Sequence, residues 1–276
     1  MTLTVEAERN RALLDWYHAN GRQLPWRGTR DPYAVMVSEI MLQQTQADRV
    51  VPYYRRFLRR FPDAAALAAA PFAEVAQLWT GLGYNMRAKR LHEAAKQIAV
   101  QGWPDSIDGL CELPGIGRYT ANAIAAFARH EHVPAVDTNL RRVLTRWHGE
   151  SLDGRKLDHA AQVALADADA ADWNQAMMDL GATRCRPRSP RCGECPVAPW
   201  CAGPDTYQPP RPQPRFEGSM RQVRGAIVRH LCNGASDFPG IVAIAGAEPA
   251  YVAEALDALI DDGMLVATQN GYELSD

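Results

Sequence analysis

No apolar run in this 276-residue chain approaches the ~18 residues that a membrane-spanning helix needs, which argues against a helical anchor. The first residues, MTLTVEAERNR, carry early acids and no apolar core, so no secretory leader is expected. Strand-like alternation is almost missing before residue 200, which disfavours a sandwich or barrel. A surplus of one charge is also lacking: the formal net charge is −2, with 22% charged and 47% hydrophobic residues, an ordinary globular balance. Cysteines number only six. In the reducing cytoplasm expected for such a chain they are free thiols or metal ligands rather than disulfides.

The small net charge hides an asymmetry. Residues 217–276 hold three Arg, no Lys and nine acids, a net −6, which leaves about +4 on residues 1–216. Basic clusters in the front part, Arg55, Arg56, Arg59, Arg60 and then Arg87, Lys89, Arg90, are candidate phosphate contacts or solvated helix faces.

Apolar residues recur at helical spacing from residue 5 to about 200, as in LHEAAKQIAV and ANAIAAFARH, so this part reads as all-α. Five prolines from Pro204 to Pro214 disfavour helix and sheet alike. A linker over 204–216 therefore separates a 1–203 region from a 217–276 segment. That segment reads as a helix from Ser219 to Leu231, an apolar stretch near 238–246, a helix from Pro249 to Asp262, and two short strands around Asn270-Gly271. Three helices and a hairpin in this order make a small α+β winged-helix-like domain. Its −6 charge would repel phosphates, so domain packing or a protein partner is expected of it before DNA contact.

Cys185, Cys192, Cys195 and Cys201 form C-x6-C-x2-C-x5-C in a polar, proline-rich stretch (185–201). Four thiolates this close can converge on one metal centre, and ligand type alone leaves zinc and [4Fe–4S] both open. Cys111 and Cys232 stand apart and read as small packing residues.

In LPGIG, Leu113 to Gly117, a turn joins two helical segments, and Gly115 and Gly117 are expected to take backbone angles closed to other residues. The amides opening the following helix can hold a phosphate.

Two carboxylates suit the breaking of an N-glycosidic bond, which needs a proton for the departing base and negative charge near a sugar turning cationic. Glu39, in PYAVMVSEIMLQQTQ, has Val35 and Met36 one helical turn before it. An ordinary Glu is only roughly 0.2% protonated at pH 7, and desolvation would raise that fraction. Asp137, in HVPAVDTNLRRVL, stands where an extended segment turns into a helix and reads as its N-cap. Capping amides are expected to keep it ionised.

The cysteine spacing after WNQAMMDLGATRC resembles the iron–sulfur loop of the endonuclease III and MutY families, which implies a structural [4Fe–4S] cluster near bound DNA, with Arg184, Arg186, Arg188 and Arg191 within reach of phosphates. SEIMLQQTQ, LWTGLGY, LPGIGRYTA, VDTNLRRV and NQAMMDLGA resemble the adenine glycosylases of the MutY family in order and spacing over roughly residues 10–202. The resemblance implies a helix-hairpin-helix glycosylase fold and a nucleoid-associated monomer. It would excise adenine mispaired with 8-oxoguanine or guanine in double-stranded DNA. It implies Glu39 as general acid, Asp137 as the carboxylate stabilising the oxocarbenium ion, Asn139 orienting acid and water, and Tyr119 supporting the sugar side. Gln44 and Tyr84 would wedge into the duplex, and Leu113, Gly115 and Gly117 would grip its backbone. Bifunctional endonuclease III relatives carry a lysine nucleophile after the hairpin, where this chain has Tyr119, so strand cleavage is not expected. MutY proteins usually continue into a Nudix-like domain, in place of which the acidic winged helix is read here. Asn85 also departs from GLGYY, and VDTN from VDGN. A glycosylase for another damaged base and a non-catalytic DNA-binding protein remain the alternatives.

Overall fold

The computed structural model describes residues 4–209, 211 and 213–276; of the proline-rich 204–216 segment, Pro210 and Pro212 lie outside the described residues. The front part is helical throughout: α1 Val5–Asn20, α2 Pro32–Leu42, α3 Ala47–Arg60, α4 Ala64–Ala68, α5 Phe72–Trp79, α6 Met86–Gln101, α7 Ile107–Glu112, α8 Arg118–Ala128, α9 Thr138–His148, α10 Gly154–Leu165 and α11 Ala170–Thr183. After the cysteine loop come α12 Met220–Leu231, α13 Phe238–Ala245, α14 Pro249–Asp261, β1 Leu265–Thr268 and β2 Gly271–Leu274. The strands pair antiparallel, Leu265 opposite Leu274 and Thr268 opposite Gly271, around the expected Asn-Gly turn. The all-α front part and the winged-helix order of the tail thus stand as read.

Two compact units form: residues 1–36 with 117–211, and 37–116 with 212–276. The tail is built into the second unit. In the first unit Leu13, Leu144, Trp147, Trp173, Met177 and Leu180 are the heart of a core spanning α1 and α9 to α11. Asn10 is buried there without an unmet polar group, because its amide donates to the carbonyls of Ala164 and Leu165 at 2.9 and 3.1 Å and accepts the Trp173 indole N–H at 3.0 Å. Helices α9 and α11 approach so closely that a Cβ on Gly181 would lie 2.5 Å from the Asn139 Cβ.

Phe57, Phe61, Phe72, Trp79 and Leu91 are fully buried in the second unit. In the tail Asp237 and Ser219 cap α13 and α12 with side-chain bonds to backbone amides. Helix α12 packs on α5, α13 and α14. The tail's last residues are also tied in: Asp276 accepts the Phe72 amide at 2.8 Å, and the Ser275 carbonyl accepts from Lys89 Nζ at 2.7 Å.

Candidate active site and iron–sulfur loop

Helix α2 is enclosed along most of its length, from Tyr33 to Met41, and Glu39 on it is 4% exposed. Its C-terminal end leaves carbonyls that no further turn can satisfy, and one side chain takes them up. The Arg87 guanidinium donates to the carbonyls of Ile40 at 3.0 Å, Met41 at 2.9 Å and Gln43, and on its other side to Thr45 Oγ1 at 3.1 Å and the Gly83 carbonyl at 3.0 Å. It lies 5.4 Å from the ring centroids of both Trp79 and Tyr84, and burial lowers its pKa to about 10. Arg87 therefore ties the end of the Glu39 helix to the loops of Gln44 and Tyr84. It shares the buried face of α6 with Leu91, Ala94 and Ile98. That spacing was the signal that it is a structural cation. Arg87 and Lys89 are 8% and 5% exposed, and this burial removes them from the expected phosphate-contacting cluster.

Gln44 and Tyr84 both have left-handed backbones, φ 58° and 49°, a conformation that costs a non-glycine residue roughly 1–3 kcal/mol and persists where surroundings enforce it. Tyr84 remains 38% exposed.

In the hairpin Gly115 has φ +78°, and a Cβ there would meet the Arg90 Cβ at 2.9 Å, so glycine is required on both counts. Gly117 corrects the reading of the second glycine. Its φ of −93° is open to any residue; it caps α8, and nothing lies within 4 Å of where its Cβ would stand. What glycine provides there is open space before the first amides of the helix. The Leu113 side chain is buried, and its carbonyl closes the turn by accepting the Ile116 amide at 3.1 Å. Any phosphate contact here falls to the main chain. Tyr119 lies half-buried on the first turn of α8.

Asp137 caps α9 as expected. One carboxylate oxygen accepts the amides of Asn139 and Leu140 at 2.8 and 2.7 Å, and the other accepts Asn139 Nδ2 at 2.7 Å. The Arg142 guanidinium then binds Asn139 Oδ1 at 2.8 Å, and the carbonyls of Gly181 at 2.8 Å and Cys185 at 2.7 Å. Opposed influences act on its charge: burial pushes the Asp137 carboxyl above its ordinary pKa, outweighing the hydrogen bonds from Leu140 and Asn139 and the charge of Arg142, which pull it down.

Cys185, Cys192, Cys195 and Cys201 line a cavity of about 170 Å³ with Arg146 and Leu180. The four cysteines thus frame one common void, and four cysteine thiolates are the ligand set that a [4Fe–4S] cluster takes. Arg146 braces the loop through the carbonyls of Arg186 at 2.8 Å and Pro204 at 3.1 Å, and lies 3.2 Å from Cys185 Sγ. Burial raises the Cys195 thiol to about 11 and also raises Cys201. Arg186 and Arg188 are exposed, whereas Arg184 and Arg191 lie 3.5 and 3.9 Å from Glu194.

Sequence reading also missed a buried carboxylate. Asp179 is 1% exposed and accepts Arg22 Nε and Arg27 Nη2 at 2.6 Å each, and the Arg22 amide at 2.8 Å. Burial alone would raise it, but these bonds and charges hold it below the usual carboxylate range. Arg22 and Arg27 in turn line an open groove of about 570 Å³.

The family model of the HhH-GPD superfamily base excision DNA repair protein matches residues 37–166, and that of the iron–sulfur binding domain of endonuclease III matches residues 185–201. Fold and loop together define a helix-hairpin-helix base-excision repair protein with a [4Fe–4S] cluster, and the matched iron–sulfur loop spans residues 185–201. The adenine DNA glycosylase of Mycobacterium tuberculosis is 42% identical over 280 residues, 94% of this chain and 90% of that protein. That of Mycolicibacterium smegmatis is 42% identical over 94% of this chain and 93% of its own length. Among solved structures, a thermostable thymine-DNA glycosylase superposes with a TM-score of 0.68 at 29% identity, covering 72% of this chain and 96% of its own. A non-covalent endonuclease III–DNA complex shares the fold, with a TM-score of 0.61 at 21% identity over 72% of this chain and 96% of its own. The chain belongs to the adenine DNA glycosylase family.

Proposed function

We propose that the protein hydrolyses the N-glycosidic bond of adenine mispaired with 8-oxoguanine or guanine in duplex DNA, leaving the strand uncut. Glu39, buried on α2, gives the proton that lets the base depart. Asp137 supplies fixed negative charge to the developing oxocarbenium ion, Asn139 orients it, and Tyr119 supports the sugar side. Gln44 and Tyr84 enter the duplex as the base is extruded, and the main chain of the Leu113–Gly117 turn, with Gly115 and Gly117, receives the backbone phosphate. Cys185, Cys192, Cys195 and Cys201 hold the cluster, which when bound cross-links its loop. The observation that carries the reading is the Asp137 carboxylate, clamped by two amides and one side-chain N–H. It is preorganised to stabilise a cation rather than to swing and transfer a proton.

The chain's lysines are Lys89, Lys96 and Lys156, on α6 and α10, away from the hairpin and α8 in sequence. The position after the hairpin holds Tyr119, which has no amine, so no Schiff base forms from that residue. The test is a panel of duplexes carrying single modified or mispaired bases, with and without alkali. Adenine should be released opposite 8-oxoguanine and guanine, strands should break only after alkali, and borohydride should trap no adduct. Preferential release of another base, or efficient trapping, overturns the proposal.

A further inference from the structure

The 217–276 segment was expected to avoid DNA because of its −6 charge, yet one of its three arginines stands beside the two side chains proposed to enter the duplex. Arg221, on the first turn of α12, donates one guanidinium N–H group to Tyr84 Oη at 3.1 Å and to Gln213 Oε1 at 2.8 Å, and anchors itself on the Pro214 carbonyl at 2.9 Å. Gln213 Oε1 also accepts the Tyr84 hydroxyl at 2.9 Å, and its Nε2 donates to Gln44 Oε1 at 3.0 Å. Gln44 and Tyr84 come from different loops, and Gln213 touches both. Each has the left-handed backbone that a residue other than glycine holds only under constraint. Arg87 fixes these loops from the buried side, and the Gln213–Arg221 pair fixes the side-chain tips from the exposed side.

We infer that Gln213 and Arg221 are positioning residues for base extrusion. The segment after the iron–sulfur loop thereby completes the DNA-entering surface, holding Gln44 and Tyr84 at one spacing before DNA arrives. This rests on the proposed role of Gln44 and Tyr84. The physical case is preorganisation: an exposed tyrosine and glutamine that had to be ordered on binding would lose side-chain freedom at that step, and the network removes that loss beforehand. The hydroxyl of Tyr84 both donates and accepts within it, which fixes the ring's tilt as well as its place.

The test uses the full chain with its cluster and a duplex in which 2-aminopurine replaces the target base, so that extrusion is read by fluorescence independently of excision. Arg221→Ala and Gln213→Ala should each reduce the extruded fraction at saturating protein by about threefold or more, with thermal midpoints near wild type. Arg221→Lys, which keeps one cation within reach of Tyr84, should restore most of it. Tyr84→Phe combined with Arg221→Ala should be no worse than either alone, because both break one link. In parallel, single-turnover release of adenine should fall for paired substrate and stay near wild type for adenine in an unpaired bulge. Wild-type protein that extrudes 2-aminopurine but releases no adenine would defeat the proposed chemistry and leave this inference standing. Unchanged or increased extrusion in Arg221→Ala, losses equal on paired and bulged substrates, or no extrusion by wild type would each overturn it.

Discussion

Asp137 meets two opposing demands. Its caps and Asn139 stabilise the ionised form, while burial raises its pKa, and burial prevails. A raised carboxyl binds its proton more tightly in the folded protein than in the unfolded chain, so ionisation at neutral pH costs stability that function requires. Two outcomes follow. Single-turnover excision should fall on acidification at a higher pH than an ordinary aspartate would dictate. Asp137→Asn, which keeps a good cap and removes the half-buried charge, should lose about 10²–10³-fold in rate with a stability change within about 1 kcal/mol by urea unfolding. Full activity would leave Asp137 as only a cap. Glu39→Gln should lose about 10²–10⁴-fold while duplex binding persists. His92 poses a separate test of stability. It is fully buried, stacked on Phe72 at 5.9 Å, with its pKa lowered to about 4 by burial and by Lys96 and Lys89. A histidine depressed in the folded state contributes stability above its unfolded pKa, ~6.5, and loses it as pH falls toward the folded value. Between pH 7 and 5 that loss should be about 2 kcal/mol, and it should shrink in His92→Leu. Equal pH dependence in the two proteins would show that His92 is protonated without penalty.

Helices α9 and α11 set the next scale. Gly181 lets them meet over Asn139, so Gly181→Ala must push aside the residue that holds Asp137. It should cost about 1–3 kcal/mol from overpacking and slow the single-turnover step by roughly tenfold or more, an effect on chemistry that a surface alanine would not have. The cysteine loop has little regular structure of its own, but it presses Val197 into the core and hangs from Arg146. Cys201→Ser should reduce iron content and the broad absorbance near ~400 nm, and loosen residues 185–203 to proteolysis. At this scale the sequence was largely legible. Asp137 caps α9 where a cap was read, and the helix read from Ser219 has that residue as its cap. The cysteine spacing located the cluster loop. Gly117 was misread because a glycine in a turn does not reveal whether its φ or its missing Cβ is the property in use.

Over the whole molecule, the order along the chain differs from the grouping in space. The proline-rich stretch reads as a boundary, yet Pro204 is held by Arg146, Tyr207 sits 5.4 Å from the Arg146 guanidinium, and Gln213 binds Gln44 and Tyr84. A chain ending at Arg211 should therefore lose more than an appendage. Without Asp276, Ser275 and α12, the Phe72 amide and Lys89 lose their partners and apolar surface of α5 is uncovered. We expect a thermal midpoint lower by about 5 °C or more. An unchanged midpoint would mean that the 37–116 residues are stable without the tail. The sequence by itself determined the helical class, the hairpin and the iron–sulfur loop, and it put forward the four cysteines and the two carboxylates as candidates, because each is written in local spacing or residue chemistry. Only the tertiary structure decided that Arg87 braces buried carbonyls, that burial outweighs the caps on Asp137, and that the tail reaches Tyr84. Solvation and long-range hydrogen bonding depend on which distant segments share a neighbourhood, and no local pattern encodes that.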